Sequence, residues 1–153
     1  MKVVIQRVSR ASVSVEGSVV GSIEKGFMLL IGIVKGDTET EITAVAEKIS
    51  KMRIFEDENE KMNLGLADVG GSVLAISQFT LCADCRRGNR PDFFNAAPPA
   101  EANRLYEYFM SLLRDKGIKV EKGVFGAHME VSLVNDGPVT IILDSDDLKK
   151  SRS

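Results

Sequence analysis

Residues 2–34 read KVVIQRVSRASVSVEGSVVGSIEKGFMLLIGIV, and this stretch decides the fold class. Lys2 to Val8 and Ala11 to Val15 are rich in β-branched residues. Ser12-Val13-Ser14-Val15 alternates polar with apolar, the period of a strand with one buried face. Glu16-Gly17 is a turn signal ahead of a third extended segment, Ser18 to Ile23. Gly26 then opens the apolar run Phe27 to Val34, which reads as a buried strand. Strands thus follow one another with no helix between them.

Further along, Asp37 or Thr38 can cap a helix carrying Ile42, Val45, Ala46, Ile49 and Met52 on one stripe. Arg53 to Gly71 is polar and glycine-containing, and is expected to be a loop with a short strand. Ser72 to Leu81 reads as a strand entering a loop, and Asp84 to Pro99 as a long loop holding three of the four prolines. A second helix is predicted from about Pro99 to Lys116, with Ala102, Leu105, Tyr106, Phe109, Leu112 and Leu113 on one face and Gly117 closing it. Lys119 to Glu121, Met129 to Val134 and Val139 to Leu143 read as strands, with Asn135-Asp136-Gly137-Pro138 as the turn between the last two.

Runs of strands with two separate helices argue for an α+β fold: one domain over residues 1–153, built on a curled mixed or antiparallel sheet, or a barrel-like sheet, with two main helices packed on it. The chain has 153 residues, 44% hydrophobic and 27% charged, enough to bury a core without a staple and too apolar to be disordered. No apolar run is long enough to span a bilayer, and Met1-Lys2-Val3-Val4-Ile5 lacks the features of a signal peptide, so a cytoplasmic protein away from membranes is expected. A formal charge of −2 argues against broad wrapping of nucleic acid, although Arg86, Arg87 and Arg90, and again Lys149, Lys150 and Arg152, form local basic clusters. They can be solvated surface or a grip on one end of an RNA.

Much of the usual chemistry is missing. The only histidine, His128, has no evident partner for a Ser-His-Asp arrangement. Cys82 and Cys85 form one C-x-x-C, short of the about four ligands that a structural zinc needs, so neither metal nor cofactor is expected. Asp57, Glu58 and Glu60 read as a solvated loop. There is no phosphate-binding G-x-x-x-x-G-K-[ST]. A hydrolase built on this chain would work without the ordinary general base.

Two segments remain. Ser77-Gln78-Phe79-Thr80-Leu81 sets a hydroxyl, an amide and a second hydroxyl after an apolar strand, where they could donate to a developing oxyanion or merely finish the strand. Val134-Asn135-Asp136-Gly137-Pro138-Val139-Thr140 is, by composition, foremost a turn.

Together, in this order and separation, the two segments resemble the signature motifs of the D-aminoacyl-tRNA deacylases. The opening Val4-Ile5-Gln6-Arg7-Val8-Ser9-Arg10-Ala11-Ser12-Val13, the loop Gly88-Asn89-Arg90-Pro91, and Gly123-Val124-Phe125-Gly126-Ala127 with Val131-Ser132-Leu133-Val134 extend the resemblance over nearly the whole chain. Asp92 departs from the small residue expected after Arg90-Pro91.

The resemblance implies an enzyme that hydrolyses the ester between a D-amino acid and the 3′ end of transfer RNA; rejection of L residues by shape would admit glycine as well. A non-catalytic module holding the same RNA end is the alternative. It implies a homodimer in which a cis Gly137-Pro138 of one subunit faces the site around Ser77, Gln78, Phe79 and Thr80 of the other. Phe125 and Met129 join Gly137 and Pro138 in holding substrate, and Arg7 braces the Gly-Pro motif. Backbone N–H groups near Gln78 and Phe79 are the expected oxyanion donors, helped by the Ser77 or Gln78 side chain. Thr80 is either a nucleophile or, as the lack of a base favours, a positioning hydroxyl.

Overall fold

The computed structural model describes residues 1–150. In chain order the elements are β1 (Lys2–Val15), β2 (Ser18–Ile23), β3 (Gly26–Gly32), α1 (Glu39–Lys51), β4 (Phe55–Glu56), β5 (Met62–Leu64), the single turn α2 (Leu66–Val69), β6 (Ser72–Ser77), a 3-10 turn (Phe79–Cys82), α3 (Pro99–Asp115), β7 (Lys119–Lys122), β8 (Glu130–Asp144) and the single turn α4 (Ser145–Leu148). The main sheet runs β2-β1-β3-β6-β7, and β8 lies along the other side of β1. It is mixed: β1 is antiparallel to β2, β3 and β8, while β3–β6 and β6–β7 are parallel. The α+β class with a curled, nearly closed sheet is as expected.

Both faces of the central strands are buried. Phe27, Leu29, Ile31, Val73 and Ala75 point to a core shared with Ile42, Val45 and Ile49 of α1 and Leu105, Phe109 and Leu113 of α3. Met28, Leu74 and Ile76 point the other way, into a second cluster with Val8, Ala11, Val13 and Ile23 inside the curl. A strand with two dry faces must be apolar at every position, hence the unbroken runs in β3 and β6. Gly21 of β2 lies at the seam of the curl. A Cβ there would sit 2.6 Å from the Lys122 carbonyl oxygen, so a side chain would separate β2 from β7.

The two expected N-terminal strands are one strand, β1. Val3 and Ile5 face the helix side, and Val8, Ala11 and Val13 the inside of the curl, so the phase slips once, with Ser9 and Arg10 both exposed. Ladder irregularities against β8 fall at the same place and let one strand serve both cores. The expected turn at Asn135–Pro138 is likewise part of a single strand, β8. Gln6 pairs with Thr140 and Val8 with Asn135, so the segment from Asp136 to Val139 bulges opposite Arg7 alone. Gly137–Pro138 is cis. Propensity marked the departure from a flat ladder, but β1 continues past it and keeps both halves paired.

Smaller differences share one cause, local hydrogen bonding that composition does not show. Thr38 caps α1 and closes a capping box with Glu41. Asp37 instead accepts the Val34 N–H at 2.8 Å and pairs with the buried Met1 ammonium at 2.8 Å. Between Arg53 and Gly71 the expected loop holds the β4–β5 hairpin, whose turn Asp57 organises by accepting the N–H groups of Asn59 and Lys61. Lys149 and Lys150 form ion pairs with Glu41 and Asp147. Arg152 lies outside the described residues. Among the described residues, no helix is long and apolar enough to cross a membrane.

Closing the seam with a side chain should be costly. Gly21→Ala is expected to lower unfolding stability by about 1–3 kcal/mol, measured by urea denaturation. An unchanged midpoint would show that β2 and β7 are not held in contact.

Candidate active site at the end of strand β6

The apolar demand on β6 ends at Ser77, the first residue that leaves the double-sided core. Ser77 pairs with Ile31 of β3, and the Gln78 N–H donates to the Ile31 carbonyl oxygen at 2.7 Å. The chain then turns at once into the 3-10 segment Phe79–Cys82. Phe79 and Thr80 open this turn, where N–H groups have no carbonyl one turn back to receive them. The Gln78 backbone N–H, expected as an oxyanion donor, is therefore committed to the ladder. The amides of Phe79 and Thr80 are the ones the turn leaves available. The sequence had no signal for this, because a 3-10 turn after a strand has no hydrophobic period.

A cavity of about 690 Å³ opens at this strand end. Ser77 and Gln78 are among its polar lining residues, and Phe79, Ala102, Phe125 and Met129 among its apolar ones. Phe125 is anchored by Tyr106, with ring centroids 6.3 Å apart, and the Tyr106 hydroxyl donates to the Ala75 carbonyl oxygen at 2.6 Å. Burial pushes the Tyr106 phenol well above its ordinary range, so it stays a fixed donor. Thr80 lies outside the cavity lining and is exposed. Its hydroxyl oxygen accepts from Gln78 Nε2 at 2.5 Å, so Gln78 links the two.

His128 is the one imidazole that lines this cavity, and it is exposed; no carboxylate is among the lining residues. Cys82 is buried, with its thiol directed at the Ile33 carbonyl oxygen, and burial pushes the thiol pKa up, away from the reactive thiolate. Cys85 is exposed and the two are not bonded. Among the described residues, no cluster of three His, Cys, Asp or Glu side chains could hold a metal.

Arg7, Gly137 and Pro138 do not line this chain's cavity. Gly137 and Pro138 are exposed on the bulge of β8, and Arg7 lies buried beneath them on β1. Arg7 is 4% exposed, although its neighbours on the bulge are open to solvent. Its Nε donates to the Asp136 carbonyl oxygen at 3.0 Å and its Nη1 to the Ile54 carbonyl oxygen at 2.8 Å. The carboxylates of Glu56 and Asp136 stand further off, at 3.6 and 3.7 Å. One planar guanidinium thus ties the bulge to the β4 hairpin. Gly137 has φ +128° and a Cβ there would meet Arg7 Nη2 at 3.0 Å, so only glycine fits over the guanidinium.

The loop after the 3-10 turn is also built. Asp84 and Asp92 exchange two backbone hydrogen bonds, of 2.8 and 3.0 Å, and Arg86 grips the Asp84 carboxylate, which with the Arg86 N–H holds its pKa down at about 2. Asp92, the departure noted above, accepts the Phe94 N–H at 3.2 Å.

The family model for D-Tyr-tRNA(Tyr) deacylase matches residues 4–144. The chain is 60% identical over 145 residues to the D-aminoacyl-tRNA deacylase of Koribacter versatilis (strain Ellin345), covering 95% of this chain and 97% of that one. It is 55% identical over 152 residues to the D-aminoacyl-tRNA deacylase of Thermus aquaticus, covering 99% and 100%. Among solved structures it resembles a c-Myc DNA unwinding element binding protein, with a TM-score of 0.88, 42% identity and 94% and 98% coverage. A probable eukaryotic D-amino acid tRNA deacylase shares the fold, with a TM-score of 0.80 at 17% identity over 93% and 97% of the two chains.

The Arg7 brace is testable without an assay of function. A lysine has a single ammonium and cannot reach both the Asp136 and Ile54 carbonyls in a planar fork. Arg7→Lys should lower unfolding stability by about 2–3 kcal/mol in urea denaturation. A loss under about 0.5 kcal/mol, as for an ordinary surface substitution, would deny the brace.

Proposed function

We infer that this chain, which belongs to the D-Tyr-tRNA(Tyr) deacylase family, is a D-aminoacyl-tRNA deacylase that hydrolyses the ester between a D-amino acid and transfer RNA. The observation that carries the reading is the cavity at the end of β6, where the start of the 3-10 turn adjoins an apolar lining that includes Phe125 and Met129, and no carboxylate is among the lining residues. An aminoacyl ester suits such a site. Its α-ammonium already makes the carbonyl electrophilic, so the protein's main task is to hold the oxyanion. Water adds to the carbonyl carbon, the N–H groups of Phe79 and Thr80 stabilise the negative oxygen, and the ester C–O bond breaks with the proton passing to the ribose oxygen. Losing one oxyanion donor costs about 10²–10³ in rate in measured cases. Thr80, linked to Gln78, positions this arrangement. A nucleophilic role would need a base to take its proton, and the partner of the Thr80 hydroxyl is the Gln78 amide, which is not one.

The working unit is a homodimer in which Gly137 and Pro138 of one subunit face the Ser77–Thr80 cavity of the other. Three features support this. Gly137 and Pro138 are exposed and absent from their own chain's cavity. Arg7 holds the bulge that carries them, through the Asp136 and Ile54 carbonyls. Strand β8 is a 15-residue sheet edge showing Ile142, 75% exposed, and Val134 to solvent, an arrangement that invites another chain. The site is cytoplasmic in this reading, with the aminoacylated 3′ end as substrate. Ile142→Asp is expected to halve the mass measured by light scattering and to abolish hydrolysis. A variant that stays dimeric would exclude β8 from the interface.

Selection against L residues follows from shape. With the ammonium and the ester both fixed, the side chain of an L residue meets the wall and that of a D residue does not. Exclusion of bulk admits whatever is smaller. Glycyl-tRNA and D-alanyl-tRNA should both release free amino acid, and L-alanyl-tRNA almost none. Resistance of glycyl-tRNA would mean that the D side chain is positively recognised. Binding of all three without release would make the protein a holding module.

A further inference from the structure

At the mouth of the cavity stand three side chains that hydrolysis of the ester does not use. Phe94 is 76% exposed and Phe79 56% exposed, and the Lys35 ammonium sits 3.6 Å from the centre of the Phe94 ring. All three line the cavity's outer part. We propose that Phe94, Lys35 and Phe79 form a stacking platform for the unpaired nucleotide just before the terminal adenosine of the RNA, so that the acceptor tail is gripped as well as the aminoacyl group. This rests on the deacylase reading of the cavity.

The Phe94 ring is exposed but not loosely held. The Phe94 N–H donates to Asp92, the Asp84–Asp92 bridge closes the loop before it, and the Asn95 carbonyl oxygen receives the Lys35 N–H at 2.9 Å. An apolar ring fixed in water by its own backbone is exposed area without gain unless something covers it. Phe79 is fixed in a similar way, edge-on to Phe93 with centroids 5.0 Å apart and planes at 71°.

The charges select the kind of cover. Lys35 occupies one face of the Phe94 ring by a cation–π contact, which leaves the other face for a planar base. The same loop carries Arg87 and Arg90, exposed and, among the described residues, in no ion pair. The opposing carboxylates are accounted for: Asp84 is bound by Arg86, and Asp92 is turned onto the Phe94 N–H. Aromatic faces beside free cations suit a single strand, whose bases are available to stack, and not a paired stem, whose bases are covered. Continuity with the cavity sets the register. A strand whose last ribose is esterified at Ser77–Phe79 leaves past the rim, so the nucleotide at the rim is the one before last.

The test uses a short hairpin RNA ending in the acceptor sequence, with the fluorescent base 2-aminopurine at the penultimate position and no amino acid attached. The wild-type dimer should quench its fluorescence, Phe94→Tyr should preserve the quench, and Phe94→Ala should abolish it. In parallel, kcat/KM is measured for the D-aminoacyl hairpin and for D-aminoacyl-adenosine, which lacks the upstream nucleotide. The ratio of the two should fall about tenfold or more in Phe94→Ala and hold in Phe94→Tyr. No quench by the wild type, or equal loss on both substrates, overturns the platform. Quench with no cleavage by the wild type keeps the platform and overturns the deacylase reading, while cleavage with no quench does the reverse.

Discussion

A sheet that is dry on both faces constrains everything else in this protein. Strands β3 and β6 are covered by helices on one side and by the inside of the curl on the other, so no polar side chain can stand along them. Chemistry is therefore pushed to strand ends. Ser77 is the first residue of β6 that escapes, and the backbone turns into a 3-10 segment directly after it. Rigidity comes with this position. The amides of Phe79 and Thr80 follow a strand whose residues Val73 to Ile76 are all buried in the two cores, the rigidity that electrostatic preorganisation requires.

Arg7 is the one charged side chain that enters the interior among the described residues. It lies on the helix-side face of β1, just before the phase of that strand slips towards the inner cluster. The ladder to β8 is broken there, and two carbonyl oxygens, those of Asp136 and Ile54, converge on the guanidinium. A guanidinium can serve both from one plane, and it is desolvated at lower cost than an ammonium. The bulge of β8 thus becomes a fixed projection and not a flexible loop. That fixity makes sense if the projection works in another molecule's site.

The cavity joins two environments. Its inner part is apolar, walled by Phe125 and Met129, and its rim is aromatic and cationic, with Lys35 against Phe94. An aminoacyl group and a nucleic-acid tail need those two surfaces in that order. The absence of a carboxylate among the lining residues fits the same picture, because an ester activated by its own ammonium leaves little for a carboxylate base to do.

The sequence by itself determined the fold class, both long helices, the buried strand β3 and the two segments that single out the family. Period-3.6 stripes and unbroken apolar runs are local properties of the chain, and the order of Ser77–Leu81 and Asn135–Thr140 is written along it. The continuity of β1 and of β8 was not legible, because a strand interrupted by polar or turn residues continues only if a neighbouring strand holds both of its halves. Nor was the loss of the Gln78 amide to Ile31, which depends on a parallel partner more than forty residues away. The place of Arg7 was legible only through resemblance. Its burial follows from two distant carbonyls, and Gly137 is required above it for want of room, which only the assembled structure creates. Sequence records propensity along the chain; tertiary structure decides which backbone groups are already taken and which are left for a substrate.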